Sequence, residues 1–359
     1  MEKGISMNPI SLVKNIVFEV TAKCNCDCLY CYNVWKSPRK SYPGNGHMEL
    51  PEIVQMFERL KSEITLEWVS LSGGEPFLRP DLHKIVSYLW SRHLGVVIIT
   101  NGTLLTEENI DRASGASNYE IPLLSHRKEI HNQLMNADSF DRIMQGMKNL
   151  DKAGAKVVIA FIATKLNYKD LETTIRLAVA MGAVGVLYNR MNASACNYKH
   201  LPQLFPTISM IKENLETLDE MAGEYKIPIS CSIPIQPCLI DISQYKHIRF
   251  GFCPLGGENS YFTIDPAGNL RVCNHSSTIL GNLRESSFSQ LYHHPYVREF
   301  RGVMPDGCLS CARETRDQCH GGCKMAAEEC HNSFKDYEPF VGLNLNDRVI
   351  PREAQEQSM

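Results

Sequence analysis

An α/β fold is predicted: an open, partial (β/α)6 barrel followed by a small cysteine-rich Fe–S domain. Two observations predict it. Short apolar strands alternate with amphipathic helices about six times between residues 16 and 225. Parallel strands need crossover helices, so this alternation implies a parallel sheet. The fourteen cysteines, moreover, fall into two clusters, at 24–31 and 253–330, with only three between. A doubly wound sheet is the competing architecture, but no Gly-x-Gly-x-x-Gly follows the first strand.

Taken in order, Ile16–Val20 reads as a buried strand that ends at a cysteine loop. Leu50–Ile64 reads as a helix, with Ile53, Met56, Phe57 and Leu60 on one face. Glu67–Leu71 is a second strand and runs into Ser72-Gly73-Gly74-Glu75-Pro76. A helix is expected at 81–93, a strand at 96–100 closed by Asn101-Gly102, and a strand at 119–124. Ser139–Ala153 carries a stripe of Phe140, Ile143, Met144, Met147 and Leu150. A strand at 157–163, a helix at 170–181, a strand at 184–188 and a helix marked by Ile208, Ile211, Leu215, Leu218 and Ala222 complete the barrel. Chemistry in such barrels sits at the C-terminal ends of the strands. The cysteine loop, the Gly-Gly-Glu-Pro turn, Asn101, Ser125, Thr164, Asn167 and Arg190 all fall at such ends. The expected division is an N-terminal segment 1–15, the barrel 16–225, a bridge 226–252, the cysteine-rich domain 253–332 and a tail 333–359.

A formal charge of −3 gives no reason to expect nucleic acid. The apolar runs, such as Lys156–Ala163, are far shorter than the ~20 residues of a membrane span. Residues 1–15 hold no signal core. A soluble cytoplasmic protein is expected. Cysteines clustered at ligand spacings there favour Fe–S or zinc over disulfides.

The first cluster contains the frame Cys24-x3-Cys28-x2-Cys31. Three thiolates on a loop after a strand can hold three irons of a [4Fe–4S] cube. The fourth iron is then left open to a small molecule. Zinc is the alternative, but it would want a fourth Cys or His close by. In Gly73-Gly74-Glu75, two glycines allow close backbone approach, and the carboxylate can accept bonds from an ammonium group.

The C-terminal run is Cys253-x14-Gly268-x4-Cys273, then Cys308-x2-Cys311-x7-Cys319-x3-Cys323-x6-Cys330. Residues 262–273 read as a hairpin with an Asp-Pro-x-Gly turn. A zinc ribbon would account for Cys308-x2-Cys311, but seven cysteines suit two clusters better.

The first frame, with the aromatic Tyr30 before its last cysteine and Gly73-Gly74-Glu75 one unit later, resembles the radical S-adenosylmethionine (SAM) enzymes. The C-terminal run resembles the SPASM domain found on peptide-modifying members. The likeness spans about Ile16 to Cys330. It implies a catalytic [4Fe–4S] cluster on Cys24, Cys28 and Cys31. It also implies SAM bound by Tyr30, Gly73, Gly74 and Glu75, and by Asn101, Ser125, Thr164, Asn167 and Arg190. Two auxiliary clusters follow from it, the outer on Cys308, Cys311, Cys319 and Cys330 and the inner on Cys253, Cys273 and Cys323. The fourth inner ligand stays open among Cys238, Cys231, a substrate atom or nothing. Cys196, after the sixth strand, could face substrate. The interval from Cys311 to Cys319 is two residues longer than is usual in that family. The fourth strand reads Ile121-Pro-Leu-Leu-Ser125, where many relatives have Ser-Leu-Asp.

The resemblance implies reductive cleavage of SAM to methionine and a 5′-deoxyadenosyl radical, which abstracts a substrate hydrogen. The implied substrate is a ribosomally made precursor peptide, and the outcome a cross-link, an oxidation or backbone excision (splicing). With about fifteen residues before the first strand, peptide recognition is expected from a separate small protein or from the barrel. A flavodoxin or ferredoxin is the expected electron donor. Sulfatase maturases place an Asp after the second SPASM cysteine. Here Asn274 stands there and cannot take a proton, which argues against formylglycine formation. The proton donor and acceptor stay unassigned. A small-molecule radical SAM dehydrogenase or tetrapyrrole-pathway enzyme is the alternative, and a non-catalytic zinc-binding adaptor is the alternative of another class.

Overall fold

Apolar alternation does produce the strands, and they pair in chain order. The structure, a computed structural model, describes residues 13–36, 46–253, 255 and 260–342. The expectations for residues 1–12 and 343–359 lie outside the described residues. Six parallel strands form the barrel: β1 (Asn15–Thr21), β2 (Trp68–Gly73), β3 (Gly95–Ile99), β4 (Asn118–Pro122), β5 (Lys156–Ala163) and β6 (Ala183–Arg190). The covering helices are α1 (Leu50–Glu63), α2 (Leu82–Ser91), α3 (Glu107–Arg112), α4 (Lys128–Met135), α5 (Phe140–Lys152), α6 (Leu171–Ala180), α7 (Leu201–Leu204) and α8 (Ile208–Tyr225). The long helices bury most of the stripe that their periodicity predicts, with Phe140, Met144 and Ile208 half-buried. In α1 the stripe is Ile53, Met56, Phe57 and Leu60.

The sheet extends beyond the expected six strands. β7 (Ile229–Cys231) and β8 (Ile248–Phe250) add two parallel strands inside the bridge. Three residues are too few to display a period. On the other edge, β9 (Tyr261–Ile264) pairs parallel with β1, bringing Phe18 opposite Ile264. Its hairpin partner β10 (Asn269–Arg271) and the short β11 (Gly281–Asn282) complete an eleven-stranded sheet among the described residues. The cysteine-rich hairpin is therefore continuous with the barrel sheet. Its turn is the expected one, with Asp265 accepting from Ala267 N and Asn269 N and with Gly268 at φ 91°. The remaining helices are α9 (Phe288–Tyr292), α10 (Pro295–Gly302), α11 (Arg313–Cys319), α12 (Lys324–His331) and α13 (Pro339–Gly342).

Two buried ion pairs tie the halves together. Glu19 on β1 binds Arg271 on β10. Arg190, at the end of β6, binds Glu338 at 2.6 Å with both side chains out of solvent. Arg190 also lies 4.4 Å from the centre of the Phe340 ring. The segment around 336–341 thus packs against the barrel. No helix of the described residues is long and apolar enough to cross a membrane.

Candidate active site

Where β1, β2, β3 and β4 end, their loops enclose a cleft of about 930 Å³, open mouth included. Cys24, Cys28, Tyr30 and Cys31 line it together with Gly73, Gly74 and Asn101. The cysteine loop is held from several sides. Leu29 N donates to Leu134 O at 2.9 Å, and the Tyr30 hydroxyl meets Met135 Sδ at 3.3 Å. α4, whose eight residues lacked a readable stripe, is thus a cradle for the loop. Lys36 Nζ bonds Cys26 O at 2.5 Å, and Asn25 bonds both Asn101 and Thr103.

Gly73 and Gly74 are also required by the packing of the turn itself. A Cβ on Gly74 would stand 2.0 Å from Lys23 O, and Gly73 adopts φ 121° with Thr21 O 2.3 Å from its Cβ position. The glycines let the turn lie directly on the cysteine strand, bonded by Gly74 N to Thr21 O and Glu75 N to Lys23 O, each 2.8 Å. Glu75 is 0 % exposed and accepts from Phe77 N (3.0 Å), Thr100 Oγ1 (2.7 Å) and Asn101 N (2.7 Å). Its carboxylate ties the ends of β2 and β3 together.

Four further expected contacts do not line the cleft. Ser125 donates to Asp170 at 2.6 Å. Thr164 and Asn167 bond each other at 2.8 Å, and Asn167 also holds Leu124 O. Arg190 is committed to Glu338 and Pro234 O. All four are buried and bonded internally, which is what a polar residue at a strand end requires when a helix covers it.

Two carboxylates do line the cleft, and the sequence reading assigned neither. Glu19 is paired with Arg271. Glu120 has no partner for its carboxylate among the described residues, and burial raises it to about 7. Alternation along β4 could have found it, because Tyr119 and Ile121 are buried beneath the helices and Glu120 faces inward between them. Tyr32 and Asn274 complete this wall. Asn274 donates to the Tyr32 hydroxyl at 2.8 Å, and the Tyr32 ring stacks on His275 with centroids 3.9 Å apart. Burial holds His275 down at about 4, so it is neutral at pH 7.

The cysteines fit iron–sulfur groups by donor chemistry and placement. Cys24, Cys28 and Cys31 share the cleft. A second cavity is lined by Cys253, Cys273 and Cys323, and a third by Cys238, Cys308, Cys311 and Cys319. Among the described residues no three donors close on a single ion. A zinc held at about 2.3 Å would need its sulfurs about 3.8 Å apart, closer than a cube's corners require. Burial pushes the Cys28 and Cys273 thiols up. A hydrogen bond with Cys196 pulls Cys31 down and pushes Cys196 up. Cys196 therefore touches a cluster-loop thiol, while Cys26 and Cys231 are buried and line none of the three cavities.

The profile described as Radical SAM superfamily matches residues 18–178, and that described as SPASM, an iron-sulfur cluster-binding domain, matches 253–324. Mycofactocin maturase MftC of Mycobacterium tuberculosis is 28% identical over 336 residues, covering 90% of this chain and 80% of that protein. AdoMet-dependent heme synthase of Methanosarcina barkeri is 26% identical over 342 residues, 90% of this chain and 95% of that protein. Among solved structures, Streptococcus suis SuiB bound to precursor peptide SuiA superposes with a TM-score of 0.70 at 14% identity, covering 92% of this chain and 76% of that one. anSMEcpe with bound AdoMet gives 0.69 at 16% identity, covering 92% and 90%. These two likenesses are of fold.

Proposed function

This chain belongs to the radical SAM superfamily and carries a SPASM domain, and on that premise we propose that it matures a ribosomally made precursor peptide. The observation that carries this reading is the cleft. One open space joins Cys24, Cys28, Cys31 and the two glycines to Asn274 of the cysteine-rich hairpin. A peptide laid across it meets both halves of the chain. The relation to a maturase supports peptide as the substrate class.

In this reading Cys24, Cys28 and Cys31 hold the catalytic [4Fe–4S] cluster, and Tyr30, Gly73, Gly74 and Asn101 line the adjoining space for SAM. The two further cysteine cavities hold auxiliary clusters. Bound there, cluster and SAM supply hydrogen abstraction from substrate by reductive SAM cleavage. The chain's own residues orient and protect. Glu75 fixes Thr100 and Asn101 against the glycine turn. α4 closes one side of the loop, and the Tyr32–His275 stack closes the other. Glu120, titrating near neutrality in the cleft, can take or give a proton, which Asn274 cannot. A flavodoxin- or ferredoxin-type donor and a separate peptide-recognition protein are the partners this reading calls for. Cysteines clustered at metal-ligand spacings support a reducing cytoplasm as its location.

The kinship with a heme synthase, which spans 95% of that protein, favours a second reading in which a tetrapyrrole is the substrate. Formation of 5′-deoxyadenosine separates the two. Anaerobic protein given SAM and reductant should respond to a peptide encoded beside it and not to an iron porphyrin. The reverse response would move the assignment to the second reading. Replacing Cys24, Cys28 and Cys31 by Ala should abolish the product while auxiliary iron stays.

A further inference from the structure

We propose that Cys238, not Cys330, is the fourth protein ligand of the outer auxiliary cluster. The inference rests on the auxiliary clusters, not on the peptide substrate. The third cavity collects four thiols, those of Cys238, Cys308, Cys311 and Cys319. Cys330 lines neither this cavity nor the one formed by Cys253, Cys273 and Cys323. α12 explains why. Cys330 follows Cys323 by seven residues, about 10.5 Å along a helix axis, and Cys323 already faces the inner cavity.

The four thiols come from separately anchored pieces of chain. Cys308 and Cys311 sit on one turn, with Cys308 N on Pro305 O and Cys311 N on Cys308 O. Cys319 ends α11, and His320 turns the chain back at φ 52°. α11 spans most of the Cys311–Cys319 interval. Cys238 rides a tight turn closed by Leu239 N and Ile240 N on Gln236 O. Gln236 is 2 % exposed and its side-chain amide donates to Glu338, the carboxylate that also accepts from Cys323 N at 2.9 Å. One buried anchor therefore sets the position of Cys238 in the outer cavity relative to Cys323 in the inner one.

Four thiols lining one cavity suit a group that takes them as thiolates. On ligation the Cys238 thiol gives its proton to solvent and its sulfur bonds iron, with no change of oxidation state.

The test uses the full chain with Cys24, Cys28 and Cys31 replaced by Ala, reconstituted anaerobically. Two [4Fe–4S] clusters give about eight irons per chain in that background. Adding Cys238→Ala should remove up to about four of them, or convert the cluster to a form with a three-iron electron paramagnetic resonance signal on oxidation. Cys330→Ala and Cys231→Ala should keep all eight and the parent spectrum. Cys238→Ser, which keeps an oxygen donor, should shift the reduced cluster's spectrum, a change that a merely structural cysteine would not cause. The proposal is overturned if Cys238→Ala keeps the parent iron and spectrum, or if Cys231→Ala loses the same iron. A background protein with no iron at all would instead remove the auxiliary-cluster assignment, and the proposal with it.

Discussion

Glu75, just after β2, and Glu120, on β4, flank β3 and do opposite things with a carboxylate. Glu75 satisfies three donors from two strand ends. Its removal in Glu75→Ala leaves those donors buried without a partner, at about 1–3 kcal/mol for each unsatisfied group. Thermal unfolding of that variant should fall well below the parent, and Glu75→Gln should lie between. Glu120 has burial and no partner, so its proton is held up to about 7 against an ordinary 4.5. Between those values the folded chain binds more protons than the unfolded one, so the carboxyl lowers stability as pH rises through that window. Glu120→Gln should therefore raise the melting temperature at pH 8 and leave it unchanged near pH 4. An equal gain at both would mean that Glu120 is not held protonated. The cysteine frame and the glycine pair were legible in the sequence because their spacing is local. The bonds of Ser125 to Asp170, Asn167 to Leu124 O and Arg190 to Glu338 were not, because they form between elements. Arg190 meets its carboxylate 148 residues away.

At the scale of elements, the long strands and helices were legible from their periods, and the short ones were not. β7 and β8 have three residues each. α4 carries only His131, Leu134 and Met135 as buried positions, yet it cradles the cysteine loop. The Gly73–Gly74 turn is bound to that loop so closely that Gly74→Ala must displace Lys23. We expect the variant to bind less iron on reconstitution, with the auxiliary spectrum unchanged. The latch between β6 and α13 is a second element-scale device. Glu338→Ala strands the Arg190 charge in the interior and should cost about 3–5 kcal/mol in denaturant unfolding. A loss below about 1 kcal/mol would place the pair among weak surface bridges.

For the molecule as a whole, barrel and cysteine-rich domain share one sheet through the β1–β9 pair and two buried ion pairs. The sequence indicated both parts, since alternation marks one and cysteine spacing the other. The seam between them was not legible, because β9 reads as an ordinary hairpin strand until β1 is beside it. The seam is also what lets Asn274 reach the cleft that Cys24, Cys28 and Cys31 share. Metal analysis of anaerobic protein should find about twelve irons for three clusters and no stoichiometric zinc. Zinc in place of iron would contradict the redox reading. The most direct test of the central claim is the intact mass of a precursor peptide encoded beside this protein, co-expressed anaerobically with it. We expect a defined change that disappears when Cys24, Cys28 and Cys31 are replaced by Ala. Loss of two hydrogens would mark a cross-link or oxidation, and loss of a residue-sized fragment would mark excision. An unchanged peptide, from a preparation that cleaves SAM competently, would contradict peptide maturation.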